Sequence, residues 1–121
     1  MSMTVAERSA LVPDTPEGRA VVAKFFRALG DPTRLALLAF VAQGERSGTE
    51  CVEHLGIAQS RVSAHLSCLV TCGFVTARRE GRYVYYSVRD PRVIELVGLG
   101  VDLAADNAAS VAACTRVAPS V

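Results

Sequence analysis

Apolar residues recur every three or four positions along the first part of the chain, a spacing typical of helices that bury one face. Thr15, Pro16 and Glu17 supply an N-cap residue, a proline at the first helical position and an early acidic residue. They predict a first helix that runs to about Leu29. Its apolar face consists of Val21, Val22, Phe25, Phe26 and Leu29.

The same start signal recurs at Asp31 and Pro32 and predicts a second helix over residues 32–43, with Gly44 as its stop. Apolar residues are dense in this segment, and we expect it to be buried in the core. The residues expected to be buried are Leu35, Leu37, Leu38, Phe40 and Val41.

A short third helix is predicted over residues 48–55, closed by Gly56, and a fourth over residues 59–72. Two helices joined by so short a turn form a helix-turn-helix. On the third helix, Cys51, His54 and Leu55 are expected to face the core.

Two segments rich in Val, Thr and Tyr follow, over residues 74–79 and 83–88. They flank Glu80, Gly81 and Arg82, a turn-like tripeptide, and so predict a β-hairpin. A hairpin that follows a helix-turn-helix is a winged arrangement, so the fold class is mainly α with a small β-hairpin.

Asp90 and Pro91 predict the start of a last helix, to about Ala113. Apolar residues surround most of its circumference, so it needs burial on several sides, which a small monomer cannot easily provide. We therefore expect a homodimer through the first and last helices. The apolar residues are Val93, Ile94, Leu96, Val97, Leu99, Val101 and Leu103.

The length of 121 residues suits one hydrophobic core and not two domains of usual size. We expect a flexible N-terminus (1–14), one DNA-binding and dimerisation domain (15–113) and a C-terminal tail (114–121). The first residues lack the basic region and apolar run of a signal peptide, and no apolar segment is long enough to cross a bilayer. The expected location is the cytoplasm, without a membrane partner.

The near-neutral net charge of +1 conceals an uneven distribution. Residues 57–92 contain six of the 13 basic residues and two of the 12 acidic ones, so this segment carries +4 and the rest −3. A local basic field suggests that one face meets a polyanion.

Polar residues near the start of the fourth helix suit the major groove, and arginines near the hairpin tip suit phosphates or the minor groove. The candidate DNA-binding residues are Gln59, Ser60, Arg61, Ser63, Ala64, Arg78, Arg79 and Arg82. For the helix alone, an ordinary solvated face is the alternative.

Cys68 and Cys72 lie four residues apart on the fourth helix, which puts both thiols on one face. Their Cβ atoms should be about 5 to 6 Å apart, whereas a disulfide needs about 3.5 to 4.5 Å. One thiophilic metal ion would fit between the sulfurs. From spacing alone, two small buried core residues are the favoured interpretation.

Three segments together resemble the ArsR/SmtB family of winged-helix, metal-responsive repressors: FRALGDPTRLALL at 26–38, LGIAQSRVSAHLSCL at 55–69 and GFVTARREGRYVYYSV at 73–88. The resemblance covers roughly residues 20–105. It implies a homodimer that binds double-stranded, inverted-repeat operator DNA, represses transcription and dissociates when its inducer binds. The residues themselves argue against an enzyme, because the chain has two histidines, no clustered catalytic carboxylates and no phosphate-binding glycine loop. No small organic substrate is expected.

The LSCLVTCG segment further resembles the CmtR-type cadmium/lead sensors, whose ligands are two cysteines in the recognition helix and a third near the C-terminus. That resemblance assigns Cys68, Cys72 and Cys114 as metal ligands and Cd²⁺ or Pb²⁺ as the inducer. The third thiolate is expected from the partner subunit. Other sites known in the family are incomplete here, because the last helix has Asp102 and Asp106 without a histidine, and Cys51 stands alone in the third helix.

Two alternatives remain open at the level of sequence. The same repressor scaffold could sense mercury(II) or arsenite, since both ions favour two or three thiolates. The chain could also be a metal-free thiol-redox regulator or a constitutive DNA-binding module with core cysteines.

Overall fold

The computed structural model describes Thr4 and residues 13–118. Most of the predicted flexible N-terminus (1–14) and the last three residues of the predicted tail therefore lie outside the described residues.

The helices begin where local capping residues predicted them. Helix α1 (Pro16–Leu29) is capped by Thr15, whose Oγ1 accepts a hydrogen bond from the Gly18 N–H at 3.0 Å. Helix α2 (Pro32–Ala42) is capped by Asp31, whose carboxylate accepts from the Arg34 N–H at 2.9 Å. It ends one residue before the predicted end, with Gln43 as the C-cap.

The next two helices form the helix-turn-helix. Helix α3 (Gly48–Leu55) starts with a capping box in which Ser47 and Glu50 each bind the other's backbone N–H. It ends at Gly56 with a left-handed φ of 66°. Helix α4 (Gln59–Thr71) follows, and Cys72 is its C-cap and not, as predicted, part of its last turn.

A three-stranded antiparallel sheet forms the wing, with strand order β1-β3-β2. Strands β2 (Val75–Glu80) and β3 (Tyr83–Val88) form the predicted hairpin, shifted by one residue at β2. Glu80 pairs with Tyr83, so the turn has two residues, and Gly81 takes the positive φ of 63° that the turn requires. Strand β1 (Arg46–Ser47) was not predicted, because two residues are too short to show a pattern.

The core lies between α2, α3, α4 and the start of β2. Leu37, Cys51, Leu69 and Phe74 are fully buried there, which confirms Cys51 as a core residue. Two expectations were wrong: Leu35 is 39% exposed and His54 is exposed. The ring of His54 instead stacks on that of Phe40, with centroids 3.9 Å apart.

The predicted last helix is two helices, α5 (Pro91–Asp106) and α6 (Ala108–Ala113). Asn107 separates them with non-helical φ and ψ of −120° and 21°, and its side-chain amide donates to the Leu103 carbonyl at 2.9 Å. Asparagine favours such breaks because its side chain competes for backbone hydrogen bonds.

Large apolar side chains of α1 and α5 remain uncovered. Phe26 of α1 is 53% exposed, and Leu99 and Leu103 of α5 are 59% and 56% exposed. From residue 98 to residue 118 every side chain is exposed. A single chain therefore leaves open the two helices that the sequence assigned to a dimer interface. Within the described part of the chain, no helix combines the length and apolar character needed to cross a membrane.

Candidate DNA-binding surface and thiol site

The first two turns of α4 present a polar surface. Val62, Leu66 and Leu69 anchor the helix in the core with at most 1% exposure. The five residues of this helix that were predicted to contact DNA are all exposed: Gln59, Ser60, Arg61, Ser63 and Ala64. Among the described residues, no side chain caps the start of α4, so its first backbone N–H groups can meet a phosphate.

A cleft separates this start of α4 from the wing. It is lined by Thr49 of α3, Gln59 and Ser63 of α4, and Arg82 and Tyr83 at the hairpin tip. The start of α4 and the hairpin tip therefore face each other across one cleft. Thr49 and Tyr83 were not among the predicted contacts, because only the fold brings them beside α4.

The three arginines of the β2–β3 hairpin differ in their partners. Arg78 donates to Glu45 at 2.7 Å and to Glu80 at 2.7 Å, and these carboxylates raise its pKa. Arg79 and Arg82 form no ion pair with any described residue, although the guanidinium of Arg82 lies 5.5 Å from the centroid of the Tyr83 ring. Within the β2–β3 hairpin, the positive charge not compensated by a carboxylate thus resides in Arg79 and Arg82.

The thiols of Cys68 and Cys72 share one face at the end of α4, and both residues are half-buried. Burial and the neighbouring Cys68 thiol raise the pKa of Cys72, while the positive charges of Lys24 and Arg34 partly oppose this shift. Cys72 is therefore protonated at neutral pH, and a metal ion that binds there must displace the proton.

Cys72 opens onto a groove between α4 and α1. The groove is lined by Val21, Lys24 and Phe25 of α1 and by Thr71 and Cys72. The same helix α1 carries the exposed apolar residues noted above. An ion held by the two thiols would therefore lie beside the predicted dimer interface.

Cys114 lies elsewhere, exposed at the end of α6 in a groove formed with Val111 and Val117. Within residues 13–118, no three His, Cys, Asp or Glu side chains come close enough to hold a metal ion. One chain thus brings Cys68 and Cys72 together and leaves Cys114 apart. Thiolates at the first two positions suit a soft metal ion, and a third ligand would have to come from another chain.

Sequence reasoning missed two charged neighbours of these surfaces. Glu45 binds Arg78 from 33 residues away, and Lys24 faces Cys72 from another helix. Neither contact leaves a local signal, because each depends on how distant segments pack.

The family model for "Bacterial regulatory protein, arsR family" matches residues 31–77, from the N-cap of α2 into β2. The chain is 58% identical, over 96% of its length and 88% of the relative's, to a probable mercury resistance operon repressor of Streptomyces lividans. It is 40% identical to the transcriptional regulator CmtR of Mycobacterium tuberculosis, over 65% of this chain and 67% of that one.

A solved structure agrees with these relatives. It is the homodimeric winged helix-turn-helix DNA-binding domain of a possible ArsR-family regulator from Mycobacterium bovis. The two share 33% identity and a TM-score of 0.66, over 88% of this chain and 92% of that one. The chain belongs to the ArsR family of bacterial regulatory proteins and is a DNA-binding transcriptional regulator, not an enzyme.

Proposed function

We propose that this protein represses transcription as a homodimer on an inverted-repeat operator and leaves the operator when a thiophilic metal ion binds Cys68 and Cys72. One observation carries the proposal: both thiols lie at the end of the same helix, α4, whose start exposes the polar residues suited to DNA. A ligand at one end of a reading helix can alter what the other end contacts.

Dimerisation is supported by the uncovered apolar side chains of α1 and α5, such as Phe26 and Leu99. Contiguous exposed apolar surface of this kind marks interaction sites. The M. bovis domain of the same fold is homodimeric. Two copies related by a twofold axis would place two α4 helices in successive major grooves, which is why the operator should be an inverted repeat.

The reading surface combines the exposed residues of α4 with the wing. Arg61 is suited to guanine, Gln59 to adenine, and Ser60 and Ser63 to phosphates. On the wing, the unpaired charges of Arg79 and Arg82 suit the DNA backbone better than Arg78, which is bound to two carboxylates.

Mercury(II) is the inducer that we place first. The S. lividans relative, which matches almost the whole chain, is named for mercury resistance. In addition, two thiolates satisfy mercury(II), and a single chain brings just Cys68 and Cys72 together among its described cysteines.

Cadmium or lead is the second candidate, supported by the similarity to CmtR and by the presence of Cys114. These ions favour a third thiolate, which Cys114 of the second copy would supply from the end of α6. The proposed sites thus differ in one testable respect, the need for Cys114.

The mechanism follows from the position of the thiols beside α1. A metal ion that draws Cys68 and Cys72 together changes how the end of α4 packs against α1, and so changes the spacing of the two reading helices. A ligand shifts such an equilibrium only by its differential affinity for the two states. A typical coupling of about 1 to 3 kcal/mol lowers operator affinity about 5- to 150-fold.

An operator-release assay with a panel of metal ions tests the proposal, using Cys68→Ser, Cys72→Ser and Cys114→Ser. If mercury(II) is the inducer, it releases the wild type and Cys114→Ser, while the other two variants stay bound. If cadmium or lead is the inducer, all three variants stay bound. Thr71→Ser, a conservative change between the thiols, serves as the control and should behave as the wild type. Release of both Cys68→Ser and Cys72→Ser at wild-type metal concentrations would refute the proposed site.

A further inference from the structure

A polar bridge joins α1, α2 and α4 on the face of the reading helix that carries the thiols. Arg34 of α2 donates from Nε to the Ala28 carbonyl at 2.6 Å and from Nη2 to the Arg27 carbonyl at 3.3 Å. Its third nitrogen, Nη1, lies 3.2 Å from Nδ1 of His65 on α4. One guanidinium therefore binds the end of α1 and the middle of α4 at once.

The geometry defines the chemistry of the histidine. Arg34 can only donate, so Nδ1 of His65 is the acceptor in this contact. Asp31 approaches the same Nδ1 only to 3.9 Å, and its carboxylate is already used by the Arg34 N–H. Both His65 and Asp31 side chains are less than a fifth exposed. Because this position is sheltered, removing either Arg34 or His65 leaves the other side chain without its hydrogen-bond partner, which lowers stability.

His65, Cys68 and Cys72 follow one another at spacings of three and four residues, so they form a single stripe along α4. His65 meets Arg34 at the junction of α1 and α2, and Cys72 meets the α1 groove lined by Val21 and Phe25. The bridge and the thiol pair therefore act on the same contact, that of α4 with α1.

We propose that Arg34 and His65 are positioning residues that hold α4 against α1 in the DNA-binding arrangement, and that metal binding at Cys68 and Cys72 breaks their bridge. This inference rests on the proposed function, since it names how the thiol site acts on the reading helix. Neither residue contacts DNA or the metal ion.

Thermodynamic linkage predicts that removing the bridge changes operator affinity and metal affinity in opposite directions, which a purely structural role would not do. If the bridge stabilises only the DNA-binding arrangement, its removal favours the arrangement that binds metal. Operator affinity then falls and metal affinity rises, because both report the same equilibrium. A residue needed only for folding would weaken both kinds of binding.

The experiment uses the full-length protein and three variants. His65→Ala removes the acceptor, and Arg34→Lys keeps the positive charge but cannot span from the α1 carbonyls to His65. His65→Asn restores an acceptor oxygen near the position of Nδ1. His54→Ala is the matched control, because this exposed histidine lies on α3, away from the stripe.

Operator affinity is measured by fluorescence anisotropy at several salt concentrations, and mercury(II) and cadmium(II) affinities by thiolate charge-transfer absorption in competition with a chelator. We expect His65→Ala and Arg34→Lys to weaken operator binding at least about 5-fold and to tighten metal binding by a similar factor. The salt dependence should be unchanged, since no phosphate contact is lost. His65→Asn should recover most of both affinities, and His54→Ala should match the wild type.

Two failures are distinguishable. If metal releases the wild type while His65→Ala and Arg34→Lys keep wild-type affinities, or lose both affinities together, the bridge has no positioning role. If no metal ion releases the wild type, the proposed function fails, and the metal half of this inference fails with it.

Discussion

At the scale of single residues, the ion pairs of the wing decide which arginines are available to DNA. Arg78 is shared by Glu45 and Glu80, so two negative charges already compensate its own. It also lies over the ring of Tyr85, with the guanidinium carbon 4.8 Å from the centroid. Arg78 thus links β2 to the segment before β1, whereas Arg79 and Arg82 keep their charge for a ligand.

This difference predicts unequal effects on operator binding. Arg79→Ala and Arg82→Ala should each lower the slope of log affinity against log salt concentration by about one, because each removes one phosphate contact. Arg78→Ala should leave that slope unchanged. Anisotropy titrations at four or more salt concentrations measure it, with Thr76→Ala on the same strand as the control. A loss of slope in Arg78→Ala equal to that in Arg79→Ala would contradict the assignment.

At the scale of elements, capping residues explain where α1, α2 and α5 start. Thr15, Asp31 and Asp90 each accept a hydrogen bond from a backbone N–H in the first helical turn that follows. Asp31 also lies beside the bridge, with its carboxylate 3.9 Å from Nδ1 of His65. Burial works against its ionisation, but the hydrogen bond from the Arg34 N–H and the positive charge of Arg34 lower its pKa overall.

The lowered pKa of Asp31 predicts that the free energy of unfolding decreases at acidic pH. Since the folded state holds the carboxylate below its ordinary value of 3.8, the stabilisation is present above about pH 4 and is lost as the pH falls through the lowered pKa. At pH 7, Asp31→Ala should lower the free energy of unfolding by about 1 kcal/mol, as for other N-caps. Asp31→Asn, which retains a capping oxygen, should lose less.

Urea denaturation at pH 7, 5 and 3 measures these differences. The gap between wild type and Asp31→Asn should shrink towards pH 3, because unfolded wild-type protein then takes up a proton at Asp31 more readily than folded protein does, whereas asparagine stays neutral throughout. A gap that is constant over this range would show that the charge of Asp31 contributes nothing.

Helices with local capping signals could be predicted from the sequence, whereas contacts between distant segments could not. The caps and the glycine stops act over three or four residues, so a pattern reveals them. Strand β1 exists only because Arg46 and Ser47 pair with Tyr86 and Tyr85, about 40 residues later. The break at Asn107 escaped because alanine-rich sequence continues on both sides of it and favours an unbroken helix.

The candidate site was predictable to a similar extent. Spacing alone placed Cys68 and Cys72 on one face of a helix, and the structure has them side by side. Their neighbours Lys24 and Arg34 come from two other helices and could not be inferred from spacing. The position of Cys114 relative to the pair depends on a second chain, which no pattern in one sequence can place.

At the scale of the whole molecule, the uncovered faces of α1 and α5 make a single chain incomplete. A small domain buries too little of its own surface to leave such faces to water without consequence. The apolar circumference of α5, with Val93 buried and Leu99 and Leu103 exposed, is explained if a second copy covers it.

A charge placed in this surface should therefore separate the subunits. Phe26→Asp should convert the dimer to a monomer, because a buried carboxylate without a partner is costly. The same substitution should lower operator affinity by at least about 100-fold, because a monomer binds only one half-site. Val117→Asp makes the same kind of change at an apolar residue that is 72% exposed and outside both helices, and should remain dimeric.

Sedimentation velocity gives the oligomeric state and anisotropy gives the affinity. If Phe26→Asp stays dimeric with wild-type operator affinity, α1 does not contribute to the interface.

The half-burial of Cys72 affects how readily its thiol reacts with peroxides and with metal ions. Burial raises the pKa of Cys72, so few of its thiols are ionised at neutral pH, and the thiolate is the form that peroxides attack. A soft metal ion needs no preformed thiolate, because it displaces the proton as it binds. Under the proposed function, Cys72 would therefore react more readily with a soft metal ion than with a peroxide.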